Sequence, residues 1–312
     1  MGGSSSKVSD KTAGAVAKAR HMETVFKLEG EEKQLFADPY AAQFYTGSSL
    51  SPYFASAAVL AKFPNHLVGV HYLLVGRTKE MDEQVLAAVS AGASQLVILG
   101  AGYDTRGLRL PLPKEMRVFE VDQAEVQAKK LAGLESFTKP GFFCTGTELL
   151  AQQRIDDITY VPCDFNTETA EKLRQVSGYN DTAKTMFILE GVTQYIPKEA
   201  TATTLKAAAA VSAAGSRITI SYVSMDVWDA PEKVTDPAGV KQLLAGAAGV
   251  GEPWITGFTP DGFADFMKQH GWGVQRDVSI EELNTEYFVP ANRPLPPEKR
   301  TPYERYALAV RL

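Results

Sequence analysis

Gln95-Leu-Val-Ile-Leu-Gly-Ala-Gly-Tyr-Asp-Thr-Arg106 decides the fold of this 312-residue chain. Gln95–Leu99 is a short apolar run that stops at Gly100-Ala101-Gly102. A buried parallel strand reads as such a run, and paired glycines after it let backbone approach a ligand closely. Arg117–Val121 follows as a second run and ends in Asp122, about twenty residues past the loop. That is the spacing at which a carboxylate meets the ribose hydroxyls of an adenosine ligand.

The pattern repeats outward. Ile158–Pro162 ends in Cys163-Asp164-Phe165, Lys184–Leu189 ends in Glu190-Gly191, and Arg217–Val223 is a fifth run. Helical stretches separate them at Ala124–Leu134, Thr167–Val176 and Glu199–Ala214. Thr259–His270 reads as a helix capped by Thr259 with Pro260 first inside, and His270 at its end suits the helix dipole. Strands are expected near Val274–Val278 and Tyr306–Arg311, the latter after a Pro-rich connection at Pro290–Pro302. Strands alternating with helices predict an α/β fold with a mostly parallel sheet covered on both faces.

The flanks read differently. Residues 1–12 are expected to be disordered, and 13–90 to form a helical cap with little strand character. Within that cap, helices are expected at Ala13–Lys27, at Asp38–Phe44 through Asp-Pro, and at Thr78–Val89 through the stripe Met81, Val85, Leu86, Val89. Residues 91–312 are expected to form the ligand-binding domain, with an irregular insertion around 226–258.

Hydrophobic residues make up 45% and charged residues 22%, ordinary for a soluble globular protein, and the net charge is −5. Without a basic run, nucleic acid is not an expected partner. Cys144 and Cys163 form no Cys-x-x-Cys pair, so a reduced, cytoplasmic setting and buried thiols are expected. No apolar run reaches the ~18–20 residues that span a bilayer, and no secretory segment follows Met1. Met1-Gly2-Gly3-Ser4-Ser5-Ser6 fits a myristoylation pattern, which implies at most weak membrane association. No His/Cys/Asp cluster has metal-ligand spacing.

The strand ends converge on one site, because ligands of open parallel sheets bind beyond the carboxyl ends of the strands. Gly100, Gly102, Asp104, Glu120, Asp122, Asp164 and Glu190 all fall there. Adenosine is common to NAD and S-adenosylmethionine. Two features favour the latter. Thr105 occupies the place where a dinucleotide fingerprint needs Gly or Ala. Asp104 would oppose a pyrophosphate but suits an ammonium and a sulfonium.

The string Gln95–Arg106 resembles the signature of the leucine carboxyl methyltransferase family, which includes a protein phosphatase methyltransferase and polyketide O-methyltransferases. The resemblance extends to Thr12–Arg20, Leu35–Ala42, Arg77-Thr78 with Asp82, Glu120-Val-Asp122, Asp164-Phe165, Glu190–Tyr195 and Gly257-Phe258 to Trp272. It implies a Rossmann-like, class I S-adenosylmethionine-dependent methyltransferase with a mostly parallel seven-stranded sheet and an N-terminal helical lid. It further implies that Arg77, helped by Arg20, holds the donor's carboxylate, and that Gly100, Gly102 and Asp104 form the donor loop. By the same resemblance Asp122 binds ribose, Asp164 and Phe165 contact adenine, and Glu190 lies beside the methionine portion.

A carboxylate acceptor needs no base, whereas a hydroxyl benefits from one. His66 and His71 lie in the part that resembles the lid, Tyr195 follows Glu190 toward the substrate end, and no residue is assigned as base. The pattern Thr12-Ala-x-x-Val-Ala-x-x-Arg20 resembles the bacterial small-molecule branch, so the expected partner is a small acid or phenol. Methylation of a protein's C-terminal leucine, an NAD-linked oxidoreductase and an inactive donor-binding scaffold stand as alternatives. Oligomeric state is left open.

Overall fold

A computed structural model describes residues 5–44, 56–60, 62–135, 154–165, 167–230, 237–249 and 251–312, and side chains at 5–11, 57–58 and 237 are outside the description. Gly2 and Cys144 lie outside the described residues.

Seven strands form one sheet: β1 Gln95–Leu99, β2 Arg117–Asp122, β3 Ile158–Pro162, β4 Thr185–Leu189, β5 Arg217–Val223, β6 Trp272–Val278 and β7 Glu304–Arg311. Their order is β3-β2-β1-β4-β5-β7-β6. The first five run parallel, and β7 pairs antiparallel with both β5 and β6. β1 and β4 are buried at every position, as expected of central strands covered on both faces. The strand order reverses between β1 and β4, so the crevice beyond their carboxyl ends is the expected ligand position.

Among the described residues six longer helices accompany the sheet: α1 Ser5–Thr24, α2 Asn65–Ser90, α3 Ala124–Leu134, α4 Lys198–Ala210, α5 Pro237–Gly249 and α6 Pro260–Gln269. On one face, Leu73, Met81, Val85 and Ala88 of α2 pack with Leu96, Ile98, Met186, Ile188 and Tyr306. On the other, Leu205 and Ala208 of α4 and Phe263 and Met267 of α6 pack with Val97, Phe119, Phe187, Ile218 and Trp272. Cys163 is buried in this second layer. Burial pushes its thiol up to about 11, so it is a protonated packing residue.

Several sequence-based expectations shift. Helix α1 covers Ser5–Thr24, so the boundary expected at residue 12 falls inside it. Helix α2 starts at Asn65 after Pro64 rather than at Thr78, whose hydroxyl bonds the Leu74 carbonyl within the helix. It is buried on nearly all sides, which hides the one-sided apolar stripe of a surface helix. α2 packs directly on the sheet.

The expected helix at Asp38–Phe44 is a single 3-10 turn over Ala41–Phe44. Asp38 still accepts from Tyr40 N and Ala41 N at its start, but its other oxygen is taken by Arg20 and Thr105. The stretch at Thr167–Val176 tightens to a 3-10 helix over Ala170–Gln175. The stretch 226–258, expected to be irregular, contains a turn of helix at Asp226–Asp229 and all of α5. Pro237 opens α5, where its missing N–H costs nothing. Among the described residues no helix is long and apolar enough to cross a membrane.

Candidate functional site

The strand ends shape the site through their backbone. Gly100 sits at φ +68°, and a Cβ there would come 2.8 Å from Val192 Cγ2. Only glycine meets both conditions. Gly102, at φ +47°, turns the loop so that its N–H donates to Asp122 Oδ2 at 2.6 Å. Asp122 Oδ1 accepts from Gln123 N at 2.7 Å. The carboxylate at the end of β2 therefore holds the glycine loop in place while lining the crevice.

Beyond these ends lies a cavity of about 1100 Å³. Arg20, Arg77, Gly100, Gly102, Asp104, Asp122, Asp164, Phe165, Glu190 and Tyr195 all line it, so the structure brings these ten expected residues to one place. From α1 come Thr12, Ala13, Ala15, Val16 and Arg20, and from α5 and the loop after it Leu243, Ala247, Glu252, Trp254 and Ile255. Thr12 Oγ1 donates to Glu252, which joins the two covering segments across the cavity.

Under the cavity runs a continuous buried ion-pair chain. Arg20 pairs with Asp38 at 2.8 Å, and Arg109 reaches both Asp38 at 3.9 Å and Asp82 at 2.6 Å. Arg106 joins Asp82 at 2.8 Å, Asp104 at 2.5 Å and Glu190 at 2.5 Å. Arg77 joins Glu190 at 2.8 Å and Glu304 at 2.9 Å. Four guanidiniums thus face five carboxylates across α1, α2, the glycine loop, the end of β4 and the start of β7. Burial alone would raise Glu190, but Arg106 and Arg77 on either side hold it well below the usual carboxylate range. Glu304 has Arg77 as its guanidinium partner and Glu190 nearby, and burial leaves its carboxyl raised.

Some residues fall elsewhere. Glu120 does not line the cavity: it pairs with Lys130 of α3 at 2.6 Å, and Lys130 also donates to the Asp104 carbonyl. Burial pushes Glu120 up to about 7 although Lys130 opposes this. Of the two α2 histidines, His66 lines the cavity. His71 is buried outside the cavity lining, against Tyr72, where burial and nearby Arg293 hold its imidazole down at about 4. His270 ends α6 with Nδ1 2.6 Å from the Phe266 carbonyl, a packing role. Glu304, Gln194, Trp254 and Glu252 also line the cavity without having been expected there.

The cavity fits S-adenosylmethionine. Its described lining holds six carboxylates, Asp104, Asp122, Asp164, Glu190, Glu252 and Glu304, against Arg20 and Arg77. That charge suits a ligand with a sulfonium and an ammonium and opposes a pyrophosphate. The order β3-β2-β1-β4-β5-β7-β6 with antiparallel β7 is that of class I S-adenosylmethionine-dependent methyltransferases.

Comparison with known proteins agrees. The leucine carboxyl methyltransferase family matches residues 13–209. A Frankia alni protein named "Putative S-adenosyl-L-methionine-dependent methyltransferase" is 31% identical over 264 residues, covering 84% of each chain. A Mycobacterium ulcerans protein of the same name is 30% identical over 309 residues, covering 92% of this chain and 91% of its own. The crystal structure of a DUF574 family protein from Streptomyces avermitilis shares the fold at a TM-score of 0.55 and 13% identity, covering 94% of this chain and 97% of that one. With its sheet order, its acid-lined crevice at the β1–β4 switch point and these relatives, this chain belongs to the leucine carboxyl methyltransferase family of S-adenosyl-L-methionine-dependent methyltransferases.

Proposed function

We propose that this protein transfers the methyl group to an oxygen, carboxylate or hydroxyl, of a small-molecule acceptor. The observation that carries this reading is the size and placement of the cavity. At about 1100 Å³ it exceeds the ~300–1,000 Å³ typical of a single small-molecule site, which leaves room for donor and acceptor side by side.

The donor half is assigned residue by residue. Asp122, already oriented by Gly102 N and Gln123 N, accepts from the ribose hydroxyls. Asp164 takes the adenine amine, and Phe165 packs on the ring. Asp104 and Glu190 face the positively charged methionine portion. Arg77 and Arg20 hold the carboxylate with the nitrogens not engaged by the ion-pair chain. Arg77 commits Nε to Glu190 and Nη1 to Glu304, and Arg20 commits Nε to Asp38 and Nη2 to the Tyr103 carbonyl.

The bound donor supplies a methyl group on a positively charged sulfur. The protein's own task is to orient the acceptor oxygen in line and exclude water. Tyr195, held by Trp254 Nε1 at 3.3 Å, forms part of the acceptor wall. α1 and the segment after α5, joined by Thr12 and Glu252, form the cover.

Labelled-methyl transfer to a panel of small acids, phenols and a leucine-terminated peptide tests this reading. Label in a small molecule is expected. Label only in the peptide would favour protein carboxyl methylation. Donor binding without transfer to any acceptor would favour an inactive scaffold.

A further inference from the structure

We infer that the acceptor is an elongated, apolar molecule that carries its reacting oxygen at one end, lies along α2 and leaves its far end at the cavity mouth. The inference rests on the reading of the strand-end half as the donor site and adds to it the shape of the acceptor.

Helix α2 gives the groove its direction. His66, Leu67, Val70, Leu73, Leu74 and Arg77 line the cavity. Counted from His66, these are positions i, i+1, i+4, i+7, i+8 and i+11, one face of a helix. At a rise of about 1.5 Å per residue the stripe runs about 16 Å. Exposure rises along it. Arg77 is 3% exposed and Leu73 4%, Leu74 and Val70 are half-buried, and Leu67 is 53% exposed. The buried end is held by Glu190 and Glu304 beside the donor. The stripe therefore leads from the methyl donor to the surface.

The wall contributed by α5 and the segment after it shows the same gradient. Leu243 and Trp254 are half-buried, and Ile255 is 56% exposed. Exposed apolar residues scattered singly need no explanation. Leu67 and Ile255 are not scattered: both line this one cavity, and an apolar chain gains by covering them. Charge lies mostly elsewhere. Asp104, Asp122, Asp164, Glu190 and Glu304 stand at the strand ends, and Glu252 is tied to Thr12. Outward of Arg77 the α2 stripe offers leucine and valine until His66 at its outer end. A compact acceptor would touch only the inner turn and leave Val70 and Leu67 in water.

The test measures binding of straight-chain carboxylates, from butanoate to dodecanoate, to protein saturated with S-adenosylhomocysteine, by calorimetry at pH 7.5. Affinity is expected to rise about fourfold per methylene, the gain of one buried CH2, and to level off once the chain passes Leu67. Val70→Trp, which fills the middle of the stripe, is expected to cut the ratio of octanoate to butanoate affinity at least tenfold. Leu67→Asp, at an exposed position, is expected to weaken dodecanoate more than butanoate. Octanoate that does not bind, octanoate affinity within twofold of butanoate, or a chain-length gain that both variants leave intact would overturn the inference. Failure of S-adenosylhomocysteine itself to bind would instead overturn the donor-site reading, and the inference with it.

Discussion

Replacing Glu190 by Gln tests whether the buried ion-pair chain holds the site together. Glu190 accepts from Arg77 Nε at 2.8 Å and Arg106 Nη1 at 2.5 Å, and it bridges the two halves of the chain. Breaking a buried pair by neutralising one partner costs ~3–5 kcal/mol. Arg106 keeps Asp82 and Asp104, and Arg77 keeps Glu304, so the lower end, about 3 kcal/mol, applies. For 312 residues the unfolding entropy at the midpoint is about 0.65 kcal/mol/K, from ~2.1 cal/mol/K per residue, so the melting temperature should fall by about 5 °C. Glu304→Gln should cost less, because burial already raises Glu304 toward its neutral form whereas two guanidiniums hold Glu190 ionised. The sign with pH follows. A carboxyl depressed in the folded state contributes stability above its unfolded value near 4.5, and that contribution is lost as pH falls further. The gap between wild type and Glu190→Gln should therefore narrow below pH 4.5. Scanning calorimetry of both variants across pH reads all three effects. A Glu190→Gln midpoint within 1 °C of wild type, or a larger loss in Glu304→Gln, would refute the reasoning.

Asp122→Asn should leave the melting temperature nearly unchanged but weaken S-adenosylmethionine by about 10–100-fold, the range of one or two charge-assisted hydrogen bonds, by calorimetric titration. Wild-type affinity in that variant would remove Asp122 from the donor site. Phe165→Ala should raise the donor's dissociation constant about tenfold through lost ring packing, and an unchanged constant would make Phe165 a core residue only. His71 is held down at about 4, so it is neutral in the fold and protonated below ~6.5 when unfolded. Its contribution is present above pH 6.5 and lost on acidification toward 4, by about 3 kcal/mol at ~1.4 kcal/mol per tenfold change in proton binding. Stability of His71→Leu, measured by denaturant titration from pH 7 to 4, should fall less steeply than that of wild type, and equal slopes would count against this.

The parallel strands were readable because each is a short apolar run cut off by Gly or an acid. The cut is imposed by the same geometry that places the ligand there, so fold and site share one signal. Helix α2 hid its start because a helix buried on most sides carries no single stripe. Asp38 looked like a helix cap, and its Oδ1 does accept from Tyr40 N and Ala41 N, but its Oδ2 serves Arg20 and Thr105 and the turn after it is 3-10. Glu120 and Asp122 looked equivalent in sequence. Lys130, sitting at a buried position of α3, draws Glu120 away from the cavity, and a lysine in register with Val126 and Leu134 on one helix face was the available cue. Glu304 lies more than a hundred residues from its nearest partner in the site and opens a strand after a Pro-rich connection. Only the antiparallel return of β7 beside β5 brings it to Arg77.

The account's central claim is that the cavity at the β1–β4 switch point binds S-adenosylmethionine. Calorimetric titration of the purified protein with S-adenosylmethionine, S-adenosylhomocysteine and NADH in parallel tests it most directly. Micromolar binding of the first two with no heat from NADH is the predicted result. Binding of NADH with none of the sulfur ligands would contradict it and make the glycine loop a dinucleotide site.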